Sequence, residues 1–141
     1  MASTLENGTN YPKMAYIADD DPEDIELLCE VFKDIEPAVQ TRLFSNGREV
    51  LSQLRGCRDQ DLPQLLILDY SMPELTGWQV LQEIANQPRY SHMLKFVLST
   101  STASKYMEEC LSTGADAYFV KPTSMAELRS IARKILTAGA V

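Results

Sequence analysis

Four apolar residues in a row, Leu65-Leu66-Ile67-Leu68, stand between Pro63 and the carboxylate of Asp69. A run this short, with no polar residue inside it, reads as a strand buried on both faces. Such a strand has no solvent side, so it needs strands beside it and helices above and below it. No other stretch constrains the fold as much, because parallel neighbours need crossover connections and those are usually helices.

The rest of the chain supplies both. Met14 to Ala18 is a short apolar strand that runs into Asp19-Asp20-Asp21-Pro22. Asp21 followed by Pro22 is a helix start: the carboxylate can cap free N–H groups, and proline suits the first helical position. Ile25, Leu28, Val31, Phe32 and Ile35 recur at helical spacing, which predicts a helix from Glu23 to Ile35, ended by Pro37. A second strand spans Val39 to Phe44, and Ser45-Asn46-Gly47 turns into a helix carrying Val50, Leu51 and Leu54. Residues 56–63 are polar and read as a surface loop.

After Asp69, Met72-Pro73 and Gly77 form an irregular loop, and Trp78, Val80, Leu81 and Ile84 mark a third helix that stops near Pro88. Lys95 to Leu98 is a fourth strand opening into Ser99-Thr100-Ser101-Thr102, a hydroxyl run that could serve as a capping loop. The next helix holds Met107, Cys110 and Leu111, with Gly114 just past its end. Ala117 to Val120 is a fifth strand, followed by Lys121-Pro122. Ser124 and Glu127 have capping-box spacing, and Met125, Leu128, Ile131 and Ile135 outline the face of a last helix. Strand and helix thus alternate five times, which predicts an α/β fold with a parallel sheet covered on both faces. Residues 1–12 read as a flexible polar leader and 13–141 as one domain.

Composition narrows the function. A net charge of −7 disfavours nucleic acid or an anionic membrane surface as a direct partner, since both require a basic patch. No apolar run is long enough to span a bilayer, and the first residues lack a signal-peptide pattern, so a cytoplasmic protein is expected. Cys29, Cys57 and Cys110 have no CxxC spacing, which argues against a disulfide framework or structural zinc site; Cys29 and Cys110 fall in apolar helical patterns and are expected in the core.

In a parallel sheet all C-terminal strand ends lie on one edge, where open α/β sheets bind their ligands. Four of the five strands deliver a polar group there: Asp19 and Asp20, Asp69, Ser99 and Lys121. Carboxylates gathered so closely resist joint ionisation unless a cation balances them. A hard dication with oxygen ligands does so, and Mg2+ suits a site with one or two direct carboxylates and retained water. A carboxylate beside Mg2+, flanked by a hydroxyl and an ammonium, can act as a nucleophile toward phosphorus. Free carboxylates are ionised at neutral pH, so Asp69 is expected to need no general base.

These residues resemble those of the receiver domain of bacterial two-component response regulators, from about Lys13 to Val141. The resemblance rests on the acidic pair Asp19-Asp20, on Asp69-Tyr70-Ser71-Met72-Pro73 with Gly77, on Ser99, on Gly114-Ala115, and on Tyr118 with Lys121-Pro122. The intervals of 30 residues from Asp69 to Ser99 and 52 from Asp69 to Lys121 match the family. The resemblance implies a flavodoxin-like fold with strand order 2-1-3-4-5 and Asp69 as the phosphoacceptor. It implies that Asp20 and Asp69 bind Mg2+ directly, Asp19 through water, and Ser71 through its backbone carbonyl. Ser99 would turn toward the phosphoryl group, Tyr118 would swing inward after it, and Lys121 would pair with the phosphoryl oxygens. The Lys121-Pro122 bond is cis in many relatives.

The expected function is that of a single-domain response regulator. It would take a phosphoryl group from a sensor histidine kinase or histidine phosphotransfer protein, without being a turnover enzyme, and signal to a downstream protein. The last helix ends shortly before Val141, so no output domain is expected to follow. The surface from Lys105 to Thr137, made by the last strand and last two helices, is the expected partner or homodimer face. Two alternatives belong to other classes. A phosphohydrolase with an aspartyl nucleophile usually carries a second Asp two residues on, where this chain has Ser71. A binding module that works without phosphorylation typically loses part of the acidic pair, the acceptor or the lysine, and all are kept.

Overall fold

The computed structural model describes residues 12–139. Of the leader expected over residues 1–12, Pro12 alone falls within them, and it is buried. The chain runs β1 (Met14–Ala18), α1 (Pro22–Ile35), β2 (Gln40–Phe44), α2 (Gly47–Gly56), β3 (Leu65–Asp69), α3 (Gly77–Ile84), β4 (Leu94–Ser99), α4 (Ser104–Ser112), β5 (Ala117–Val120) and α5 (Met125–Ala138). The strands form one sheet in the order β2-β1-β3-β4-β5, and every neighbouring pair is parallel. This is the doubly wound, flavodoxin-like arrangement expected from the sequence.

All five residues of β3 are buried, as its unbroken apolar run demands. Because successive side chains of a strand point to opposite faces, the sheet feeds two cores. Leu66 and Leu68 join Tyr16, Ala18 and Val97 under α2 and α3, with Cys110 of α4. Leu65 and Ile67 join Ala15, Ile17, Phe96 and Leu98 under α1 and α5. Cys29 and Cys110 are both buried.

The helix starts are made by the residues that the sequence singles out. Asp21 accepts hydrogen bonds from the backbone N–H groups of Glu23 and Asp24, with Pro22 opening α1. Asn46 caps α2 through Glu49 N–H. Ser124 caps α5 through Glu127 N–H, while the Glu127 carboxylate accepts from Thr123 rather than from the Ser124 N–H of a full capping box. The hydroxyl run does not cap α4, whose N-cap is Ala103 with no side-chain bond. That leaves the strand-end hydroxyl of Ser99 outside the capping scheme. Gly114 follows α4 at φ +115, the left-handed geometry that favours glycine there.

Several expectations are corrected. The polar segment before β3 contains a short 3-10 turn at Asp59–Asp61, and a second turn at Pro88–Tyr90 follows α3. Val39 precedes β2 instead of opening it, although it is buried. Met125, placed on the apolar face of the last helix, and Leu111, placed among the apolar residues of the helix before it, are 48% and 44% exposed. Both lie near helix ends. No cis peptide bond occurs among the described residues, so Lys121-Pro122 is trans.

Candidate functional site

The parallel sheet places β1, β3, β4 and β5 with their C-terminal ends on one edge. Asp69 is the last residue of β3 and Ser99 the last of β4, while Asp19 follows β1 directly and Lys121 follows β5. One ligand oxygen from each of Asp19, Asp20 and Asp69 lies within 4.8 Å of the other two. Asp19 and Asp69 are buried, and Asp20 is exposed. The Lys121 ammonium reaches across them, 2.9 Å from Asp19 Oδ2 and 3.4 Å from Asp69 Oδ2. The second oxygens are held by the backbone: Asp21 N–H donates to Asp19 Oδ1 at 2.9 Å and Ser71 N–H to Asp69 Oδ1 at 3.4 Å. Asp20, Asp69, Ser71, Thr100 and Lys121 line an open recess of about 470 Å³ above the cluster.

The loop after Asp69 is packed tightly against the strand end. Gly77 N–H donates to Tyr70 O at 2.9 Å, and a Cβ on Gly77 would stand 2.5 Å from Asp69 O. Only glycine permits that approach. Ser99 is 3% exposed, and its Oγ accepts from Ser101 N–H at 3.1 Å. The Tyr118 hydroxyl donates to Ser101 O at 3.0 Å, so the Tyr118 ring is tied to the loop that Ser99 begins.

The model of the response regulator receiver domain matches residues 15–133. The chain belongs to that family. It is similar to the hybrid signal transduction histidine kinase A of Dictyostelium discoideum, with 30% identity over 127 residues; the match covers 88% of this chain and 6% of the kinase. The chain thus spans a small part of that relative's length. Among solved structures, the phosphorylated cyanobacterial phytochrome response regulator RcpA superposes with a TM-score of 0.79 at 25% identity, covering 87% of this chain and 90% of the other. The response regulator RPA3017 of R. palustris, described in red light signalling, gives 0.75 at 29% identity, covering 86% and 89%.

Within this receiver domain the expected site residues fall into two groups. Asp20, Asp69, Ser71 and Lys121 line one recess, and Asp19 joins them through the carboxylate cluster and its ion pair with Lys121. Ser99 and Tyr118 form a second unit, joined through Ser101. Electrostatics changes one expectation, that Asp69 is simply ionised. Burial is the largest influence and, with the nearby Asp19 charge and against the pull of Lys121, raises its pKa to about 7 with only protein groups around it. Burial alone would lower the pKa of Lys121, but hydrogen bonds to Asp24 and Asp19 and the charges of Asp19 and Asp69 push it well above the ordinary lysine range.

Asp24 is the residue that sequence reasoning missed. Its Oδ2 lies 2.9 Å from Lys121 Nζ, as close as Asp19. In the sequence it is one more acid in the first turn of a helix, where negative charge favours the dipole without further purpose. The sole signal available was its position three residues after the cap, on the turn that overhangs the strand ends.

Proposed function

We propose that Asp69 accepts a phosphoryl group from a phosphohistidine of a sensor kinase or phosphotransfer protein, and that the modified protein signals through altered partner binding. The observation that carries this reading is the Asp19, Asp20 and Asp69 cluster with Lys121 across it, on the ligand edge of the sheet. In the transfer, an Asp69 carboxylate oxygen forms the new P–O bond as the P–N bond breaks, and the imidazole leaves with that electron pair.

The donor set is made of oxygens alone and carries three carboxylates, which fits a hard dication such as Mg2+. Asp20 and Asp69 would hold it directly, Asp19 through water and Ser71 through its carbonyl. When bound, Mg2+ supplies charge neutralisation at the phosphoryl oxygens and favours the ionised form of Asp69. Lys121 donates to a phosphoryl oxygen from the far side of the carboxylates, and the Ser99 hydroxyl donates to another. As Ser99 turns, the loop to Ser101 moves, and the Tyr118 hydroxyl carries that motion to β5. The surface from Lys105 to Thr137 then changes its affinity for a downstream protein or a second copy, a shift between pre-existing conformations.

No helix among the described residues is long and apolar enough to cross a membrane. The test is intact mass after incubation with acetyl phosphate. Addition of one phosphoryl group in Mg2+, and none in chelator, is the expected result. Absence of the adduct in Mg2+ would favour a module that works unmodified, and sustained release of phosphate from simple esters would favour a hydrolase.

A further inference from the structure

Lys121 is shared among three carboxylates, and they are not equivalent. Its Nζ lies 2.9 Å from Asp19 Oδ2 and 2.9 Å from Asp24 Oδ2, but 3.4 Å from Asp69 Oδ2. Asp19 and Asp69 belong to the cluster of mutually close acidic oxygens, and Asp24 does not. Asp24 comes instead from the first turn of α1, where its N–H donates to the capping Asp21 Oδ1. Its side chain is 44% exposed, against 14% for that of Lys121.

An ammonium and a dication draw on the same oxygens, and at such separations they repel each other. A lysine this enclosed cannot be pushed off its partners without cost, since a buried charge left unpaired is strongly unfavourable. Asp24 removes the conflict. It offers Lys121 a full ion pair at the rim, outside the oxygens that a metal would use.

We infer that Asp24 is a positioning residue that parks Lys121 at the start of α1 and thereby sets the affinity of the acidic cluster for a divalent cation. The inference rests on the reading of Asp19, Asp20 and Asp69 as a Mg2+ site. Without Asp24, Lys121, already 2.9 Å from Asp19 Oδ2, has only Asp19 and Asp69 to pair with and competes more strongly with the metal. An ion pair that merely fastened α1 to the segment after β5 would affect melting and leave metal affinity alone.

The experiment measures Mg2+ and Mn2+ binding by calorimetric titration of the full chain. The variants are Asp24→Asn, Asp24→Glu, Lys121→Met and the double variant Asp24→Asn with Lys121→Met. Asp24→Asn is expected to weaken binding roughly five- to tenfold, the scale of a partly buried charge pair. Asp24→Glu restores most of it. In the Lys121→Met background Asp24→Asn shifts affinity less than about twofold, because coupling disappears when one partner is gone. Unchanged binding in Asp24→Asn overturns the inference, and so does an equal loss with and without Lys121, which would assign the effect to bare charge. If the unsubstituted protein binds neither ion, the metal reading fails and takes this inference with it; if it binds normally while Asp24→Asn is indifferent, this inference alone fails.

Discussion

At the residue scale, burial beside Asp19 makes the ionised form of Asp69 costly. The pKa of Asp69 lies at about 7 in the folded chain, against an ordinary value of 3.8. The unfolded chain releases that proton first, so this group's contribution to stability is complete below about pH 4 and is lost as pH rises to about 7. In the absence of divalent cations, Asp69→Asn is therefore expected to stabilise the protein at pH 7.5 by on the order of 2 kcal/mol, a part of what a shift of this size represents. Urea titrations at pH 5 and 7.5 check this: the difference between variant and parent grows with pH. A second expectation concerns the lysine. Lys121→Met leaves Asp19, Asp24 and Asp69 without their shared cation, and at pH 7.5 without metal it is expected to cost about 1–3 kcal/mol in the same assay.

At the element scale, the strands and loops act as a mount for these groups. Gly77 opens α3 against the carbonyl of Asp69, so Gly77→Ala forces the loop after Asp69 to shift. Overpacking of this kind is expected to cost about 1–3 kcal/mol and to slow labelling by acetyl phosphate, both measurable on the same preparation. The hydrogen bond from Tyr118 to Ser101 O links β5 to the loop after β4. Tyr118→Phe removes that tether while keeping the ring. It is expected to leave the rate of Asp69 labelling within about twofold and to lose the spectral changes that labelling causes over α4 and α5, since a neutral hydrogen bond contributes only about 1 kcal/mol to stability. Two-dimensional NMR of both states reads this.

At the scale of the whole molecule, the parallel sheet and the convergence of its strand ends follow from one property of the sequence, the alternation of short apolar runs with helical stripes, whereas the strand order was implied by the family resemblance. Leu65 to Leu68 could be placed at the centre because a strand with no polar face has nowhere else to go. Asp69, Lys121, Asp19 and Ser99 were legible because parallel strands bring their C-terminal ends to one edge whatever the loops do. What stayed illegible depends on reach across space. Asp24 looks like ordinary helix-end decoration until its distance to Lys121 is known. Met125 and Leu111 keep the helical period and are nonetheless exposed, because period alone does not say which positions along a helix its neighbours cover. The raised pKa of Asp69 likewise depends on burial that Asp69 shares with Asp19 and that residue type does not encode.

The central claim is that Asp69 forms an acyl phosphate. It is tested most directly by labelling the protein with acetyl phosphate and Mg2+, reducing the product with borohydride, and mapping the peptides by mass. Borohydride converts an aspartyl phosphate to the corresponding alcohol, so a homoserine residue at position 69, absent without Mg2+, is the predicted result. Recovery of unmodified Asp69, or of the reduced residue at another carboxylate, would contradict it.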